Sequence, residues 1–211
     1  GSVERIATKT GLHESIGSTS FSVGPLNGDL SMGARWNVDA KCTLGTRVQD
    51  RKSDDAARSY TPYAALTSTT RQTFPLLSSI GKSQRRVVLA LQHSLTASTP
   101  TLPRHEAKAQ GVANKIRGME PVSRAITAVR GTTEIRVPLD LPLNTRQDSN
   151  VVLFGDWVFV SPERTASFAK QTCVGIGFRN SFQGIPLKFD LSYGSDGKIR
   201  NNFGLGHDFN C

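Results

Sequence analysis

Apolar and polar residues alternate with a period of two along most of this chain, the mark of strands with one apolar and one polar face. The cleanest run spans residues 30–44. Leu30, Met32, Ala34, Trp36, Val38, Ala40, Cys42 and Leu44 share one face, and Ser31, Gly33, Arg35, Asn37, Asp39, Lys41 and Thr43 share the other. Its length exceeds the about 5 to 6 residues of an ordinary globular strand and the about 9 to 11 that cross a bilayer at a tilt. The same alternation predicts strands at 63–74, 85–98, 125–139, 151–159, 172–180, 187–193 and 199–209, after a Ser- and Gly-rich first strand at 13–26. Asn27 and Gly28 predict a hairpin turn, residues 46–59 a charged solvated loop, and residues 75–83 a turn. The fold class is all-β: an antiparallel meander of about nine strands with almost no helix.

Two strands carry candidate chemistry. At 125–139, Val129, Gly131, Thr133, Ile135, Val137 and Leu139 lie on one face, and Arg130, Thr132, Glu134 and Arg136 on the other. At 151–159, Val151, Leu153, Trp157 and Phe159 oppose Phe154 and Asp156. Ahead of both runs a loop at 100–124, longer than the about 12 to 15 residues that compact domains leave structureless without a functional reason or disorder. Near its end stand Ile116, Arg117, Gly118 and Met119. Two acids on polar strand faces and an arginine on the preceding loop predict a buried ionic cluster.

Composition narrows the environment. The 211 residues have 37% hydrophobic content and a mean hydropathy of -0.30, and no run approaches the roughly 18 apolar residues of a membrane helix. A helical membrane protein is excluded, but a membrane barrel is not, because only alternate residues of its strands face lipid. A soluble sandwich satisfies the same alternation with its apolar faces packed together. The net charge of +9 suits nucleic acid, anionic lipid headgroups or an arginine-lined lumen. Binding to nucleic acid would call for aromatics among the basic residues, for base stacking. Here Trp36, Phe178, Phe189, Tyr193 and Phe203 lie on the face opposite the charges, so no nucleic-acid partner is expected. Cys42, Cys173, Cys211 and the four histidines are scattered without ligand spacing, so neither a metal nor another cofactor is expected. Glu134 and Asp156 imitate a catalytic carboxylate pair, but the arginines on the same faces favour a structural cluster. No enzyme is expected.

The order of these features carries a resemblance. A loop with Ile116, Arg117 and Gly118, then a strand with Glu134 four residues before Pro138, then a strand with Phe154 and Asp156, resembles the BamA-type outer-membrane assembly and translocation superfamily. That family includes the bacterial barrel assembly protein, the mitochondrial sorting and assembly channel and the plastid import channel. Residues 175–179, 187–190 and 203–206 resemble its last three strands, and the likeness spans about residues 110–209. The resemblance implies that residues 1–211 are part of a transmembrane β-barrel without a soluble polypeptide-binding domain. They would be the C-terminal portion of a longer protein or a naturally shortened member that oligomerises. It implies a loop folded back into the barrel, with Arg117 and Gly118 against Glu134, Phe154 and Asp156.

The family performs no covalent chemistry: it inserts or threads β-rich clients at a lateral seam. The seam strand here would carry Phe203, Gly204, Leu205, Gly206 and Phe209. The implied partners are outer-membrane lipid, unfolded β-barrel clients and other subunits of an assembly or import complex. The chain departs from the family in Met119, where an aromatic is usual, and in Trp157, where glycine is usual. It ends in Phe209, Asn210 and Cys211 rather than on an aromatic, which points to a mitochondrial outer membrane ahead of a plastid or Gram-negative bacterial one. The alternatives are a passive outer-membrane pore and a soluble basic β-domain that binds nucleic acid.

Overall fold

The computed structural model describes residues 2–7, 13–29, 34–50, 59–77, 86–103, 115–120, 125–139, 149–162, 169–182 and 185–205. Ten strands form one sheet in chain order, each antiparallel to the next. They are β1 (Ser2–Ala7), β2 (His13–Asp29), β3 (Arg35–Asp50), β4 (Ser59–Leu77) and β5 (Val87–Ser98). After the long loop come β6 (Ala125–Leu139), β7 (Ser149–Pro162), β8 (Ala169–Phe182), β9 (Ile185–Gly194) and β10 (Ile199–Leu205). The all-β antiparallel meander stands as expected, with ten strands rather than about nine.

Three local expectations are corrected. Asn27 and Gly28 do not turn the chain. They lie inside β2, opposite Asn37 and Trp36. A side chain at Gly28 would occupy the space of the Trp36 indole, so this glycine makes room for a ring. The irregularity of β2 sits earlier, at Gly24 (φ 116°), where the register shifts between Val23 and Leu26. Residues 46–50 are strand, with Thr46 opposite Pro62 and Val48 opposite Tyr60. The backbone ladder with β4 holds them whatever their charge; residues 51–58 lie outside the described residues. Pro75 likewise belongs to β4, at a second register shift between Pro75 and Leu77, where a missing N–H is tolerated.

The two faces of the sheet have opposite characters. The face that receives residues 115–120, here called inner, buries Thr132, Glu134, Asp156, Asp190 and Ser192. On the outer face, register neighbours Ile135, Leu153, Ile176 and Leu191 form a row across β6–β9, exposed by 37%, 50%, 48% and 44%. A second outer row runs through Val151, Phe178, Phe189 and Phe203. In β6–β9 the buried charges therefore lie on the face that the loop covers, and exposed apolar side chains on the other.

The inner face is not purely polar. Val152, Phe154, Val158 and Val160 of β7 pack with Ala128, Cys173, Ile116 and Met119 in an apolar cluster beneath the loop. Strand β7 is thus apolar on both faces, and its inner valines form the floor that the loop covers.

Candidate functional site

The register alone assembles the inner wall. Residues facing one another across adjacent strands form rows: Gln92, Thr132, Asp156, Cys173 and Gly194 in one, and Ala90, Glu134, Phe154, Gly175, Ser192 and Arg200 in the next. Glu134 and Asp156 are therefore diagonal neighbours on β6 and β7, with Phe154 directly opposite Glu134. Such diagonals lie about 7 to 8 Å apart, a gap that a guanidinium fork can span.

Arg117 spans it. Its Nη1 donates to Glu134 Oε1 at 2.6 Å, its Nη2 to Asp156 Oδ1 at 2.6 Å and its Nε to Asp156 Oδ2 at 2.7 Å. Its backbone N–H also donates to Asp156 Oδ2, at 3.2 Å. The guanidinium carbon sits 3.6 Å above the centre of the Phe154 ring. One planar cation thus uses its edge for two carboxylates and its face for an aromatic quadrupole. The side chains of Arg117, Glu134 and Asp156 are only 7%, 1% and 0% exposed, so the pairing is desolvated.

The loop reaches this position through a tight turn. Met119 N–H donates to the Ile116 carbonyl at 3.2 Å, and Gly118 has φ 70°, the left-handed conformation that a type II turn requires at its third residue. Gly118 also lies so close to Ser192 that a Cβ would collide with the hydroxyl. Both observations demand glycine here. Met119 is buried, and its sulfur lies 3.7 Å from Arg200 Nη1. The loop tip therefore touches β6, β7, β9 and β10 at once.

Sequence reasoning missed part of the cluster. Arg179 Nη1 donates to Asp190 Oδ1 at 2.6 Å, and Arg136 Nε donates to Glu134 Oε2 at 3.0 Å. Arg179 Nη2 is 3.8 Å from Glu134 Oε1. Three carboxylates and three guanidiniums thus meet in one network, with the charge of Arg130 also acting on Asp156. The signal lay in the glycines of β8. A Cβ at Gly175 would strike the Phe154 ring, and one at Gly177 would strike the Asp190 carboxylate. Alternate glycines on an inner face mark the places where neighbouring side chains lie across the strand.

Of the remaining expected residues, Phe203 and Leu205 point outward and are 69% exposed, while Gly204 lies under the stem of Lys188. Gly206 and Phe209 lie outside the described residues. Strand β10 pairs with β9 and is one edge of the sheet, and β1 is the other. Arg200 of β10 donates to Oδ1 of Asp196, in the preceding turn, at 2.9 Å and also contacts its other oxygen. These bonds hold the exposed Asp196 carboxyl below the usual range, at about 2. No protein-family model matches the sequence, and comparison with curated proteins gives no match.

Proposed function

We propose that this chain is an outer-membrane β-barrel component that inserts or translocates β-rich client proteins, with β10 as the seam strand at which a client strand adds. The observation that carries the reading is the inverted sheet: hydrocarbon outside, and a buried arginine cluster inside. Soluble monomers rarely leave large contiguous apolar surfaces in water, whereas barrel strands in lipid put apolar residues outward and polar ones inward. Within that reading the edges of β1 and β10 are closed by further strands or by another chain, because bare backbone groups in hydrocarbon cost several kcal/mol each.

The loop supplies what a seam needs. By touching β9 and β10 through Gly118 and Met119 while anchored on β6 and β7 through Arg117, it ties the last strand to the rigid part of the wall. When the strand that closes this edge parts from it, Ile199–Leu205 offers its N–H and C=O groups to an incoming client strand by β-augmentation. No group in this mechanism makes or breaks a covalent bond; the work is done by backbone pairing and by transfer of apolar surface into lipid. A mitochondrial outer membrane is the location this reading favours.

The test is reconstitution in lipid vesicles. Vesicles holding the chain, alone or with co-expressed partner subunits, are given an unfolded β-barrel client, and the protease-resistant folded client is followed with time. Faster client folding, lost when Phe203 and Leu205 are replaced by proline, supports the proposal. Ion conductance without any acceleration would replace it with a passive pore.

A further inference from the structure

Strand β10 is held unevenly along its length. At its start, the turn from β9 ties β8, β9 and β10 together. Gly194 N–H donates to the Lys198 carbonyl at 3.0 Å and Gly197 N–H to the Gly194 carbonyl at 2.9 Å. Ser195 N–H reaches across to the Thr172 carbonyl of β8 at 2.8 Å, and its Oγ accepts from Thr172 N–H at 3.3 Å. Arg200 adds its bonds to Asp196, and Ser192 Oγ donates to the Arg200 carbonyl at 3.4 Å. The loop tip closes on the same residue. Met119 sulfur faces Arg200 Nη1, and a Cβ at Gly118 would lie 3.3 Å from Arg200 Cβ.

The other end of β10 has no such hold. The cavity beside the loop tip is lined by Arg200, Asn201 and Asn202 of this strand, and by none of its later residues. Among the described residues, Phe203, Gly204 and Leu205 are joined to the sheet by the ladder with β9, without a side-chain hydrogen bond or ion pair. Gly204 further weakens that ladder, because glycine costs more conformational freedom in a strand than other residues do. Local opening begins where tertiary contacts are fewest.

We propose that β10 opens from its Leu205 end, that Arg200 is the positioning residue holding the Ile199 end in the sheet, and that a client strand is admitted first beside residues 203–205. The client half rests on the proposed insertion of β-rich proteins, whereas the polarity of opening is a property of the sheet itself. The sheet is antiparallel throughout, so a strand that continues it beside β10 runs against β10 and presents its N-terminal residues to Leu205. To extend the outer face, its residues alongside Phe203 and Leu205 are apolar and alternate with polar or small ones turned inward. Pairing then proceeds toward Ile199, where turn and loop hold the backbone fixed. A fixed end matters because a slip of one residue would turn every side chain of the client strand to the wrong face.

The experiment takes two readings from the full chain reconstituted in lipid vesicles. Amide hydrogen exchange along β10 is expected to be about tenfold faster at 203–205 than at 199–201. Even exchange along the strand, or faster exchange beside the turn, would overturn the polarity. Arg200→Gln is expected to speed exchange at 199–201 about fivefold, and Arg200→Lys to recover part of that protection, with β6 and β7 unchanged. An Arg200→Gln protein with the parent's exchange profile would remove Arg200 from this role. Client entry is read by placing a photoreactive phenylalanine analogue at position 205 or 199 and trapping an unfolded β-barrel client as it folds. Cross-links are expected from position 205 first, and from both positions together in Arg200→Gln. Capture from position 199 first, or from both together in the parent background, would overturn the direction of entry. No capture from either position, with the exchange gradient in place, would overturn the client reading and leave the polarity standing.

Discussion

The two ends of the sheet obey the same alternation, yet they hold their inner faces in different ways. In β6–β9 the inner residues Ala128, Thr132, Glu134, Val152, Phe154, Asp156, Val158, Cys173, Asp190 and Ser192 are all buried. In β2 and β3 every described strand side chain is at least partly exposed. Both regions contain arginine–carboxylate pairs. Arg71 and Asp39 lie 3.1 Å apart with side chains 26% and 42% exposed, whereas Arg117 and Asp156 lie 2.6 Å apart with 7% and 0%. The difference is the loop, which seals one inner wall. Distance barely separates these pairs; desolvation does, and it sets what each contributes to stability.

The largest expected effect is that of Arg117→Ala. It leaves Glu134 and Asp156 buried with their main counter-charge gone, at a cost of about 3 to 5 kcal/mol. Denaturant unfolding of the chain folded in micelles measures it. In the lipid assay the same variant is expected to lose client folding as it loses stability. An unfolding midpoint equal to that of the parent protein would remove the buried network from the account.

Gly118→Ala comes next, at about 1 to 3 kcal/mol, because it forces a Cβ into a left-handed backbone and against Ser192. Adding Ser192→Gly is expected to restore only the steric part, and full rescue by the double variant would show that the backbone conformation is unstrained. Arg71→Ala, at the partly exposed pair, is expected to cost less than about 1 kcal/mol. A loss there comparable to that of Arg117→Ala would erase the contrast between the two regions.

The smallest effect concerns pH. The Asp196 carboxyl, held at about 2 in the fold by Arg200, lies below its value of about 3.9 in an unfolded chain. Its contribution is therefore present above about pH 4 and is lost as pH falls through 2. Lying at the surface, it is also screened by salt. Carbon-detected NMR titration of Asp196 would read this directly, and a midpoint at the ordinary carboxylate value would discard the turn pair.

Strand parity in the braced half was legible because β6, β8 and β9 alternate cleanly; β6 has the very limits that the pattern predicts, Ala125–Leu139. Arg117, Glu134 and Asp156 could be proposed as partners because residue order sets antiparallel neighbours next to each other. The valines on the inner face of β7 were not legible: alternation cannot tell a polar wall from an apolar floor that a loop will cover. Nor was the role of Gly28, since a glycine that yields space to Trp36 has the same letter as one that turns a hairpin. The pairing of Arg179 with Asp190 escaped for a similar reason. It depends on the absence of a side chain at Gly177, which lets Arg179 of the same strand reach Asp190 on β9.

The inverted faces are the central claim, and Trp157 reports on them directly. It stands on the outer face with Phe159 at 5.4 Å and covers Gly131. In a Trp36→Phe protein it is the sole tryptophan, since the chain has two. The protein is reconstituted into vesicles whose acyl chains carry bromine, and its fluorescence is compared with that in unlabelled vesicles and in acrylamide. The account predicts strong quenching by the brominated chains and protection from acrylamide. Acrylamide quenching with no response to the brominated chains would place this face in water and contradict it.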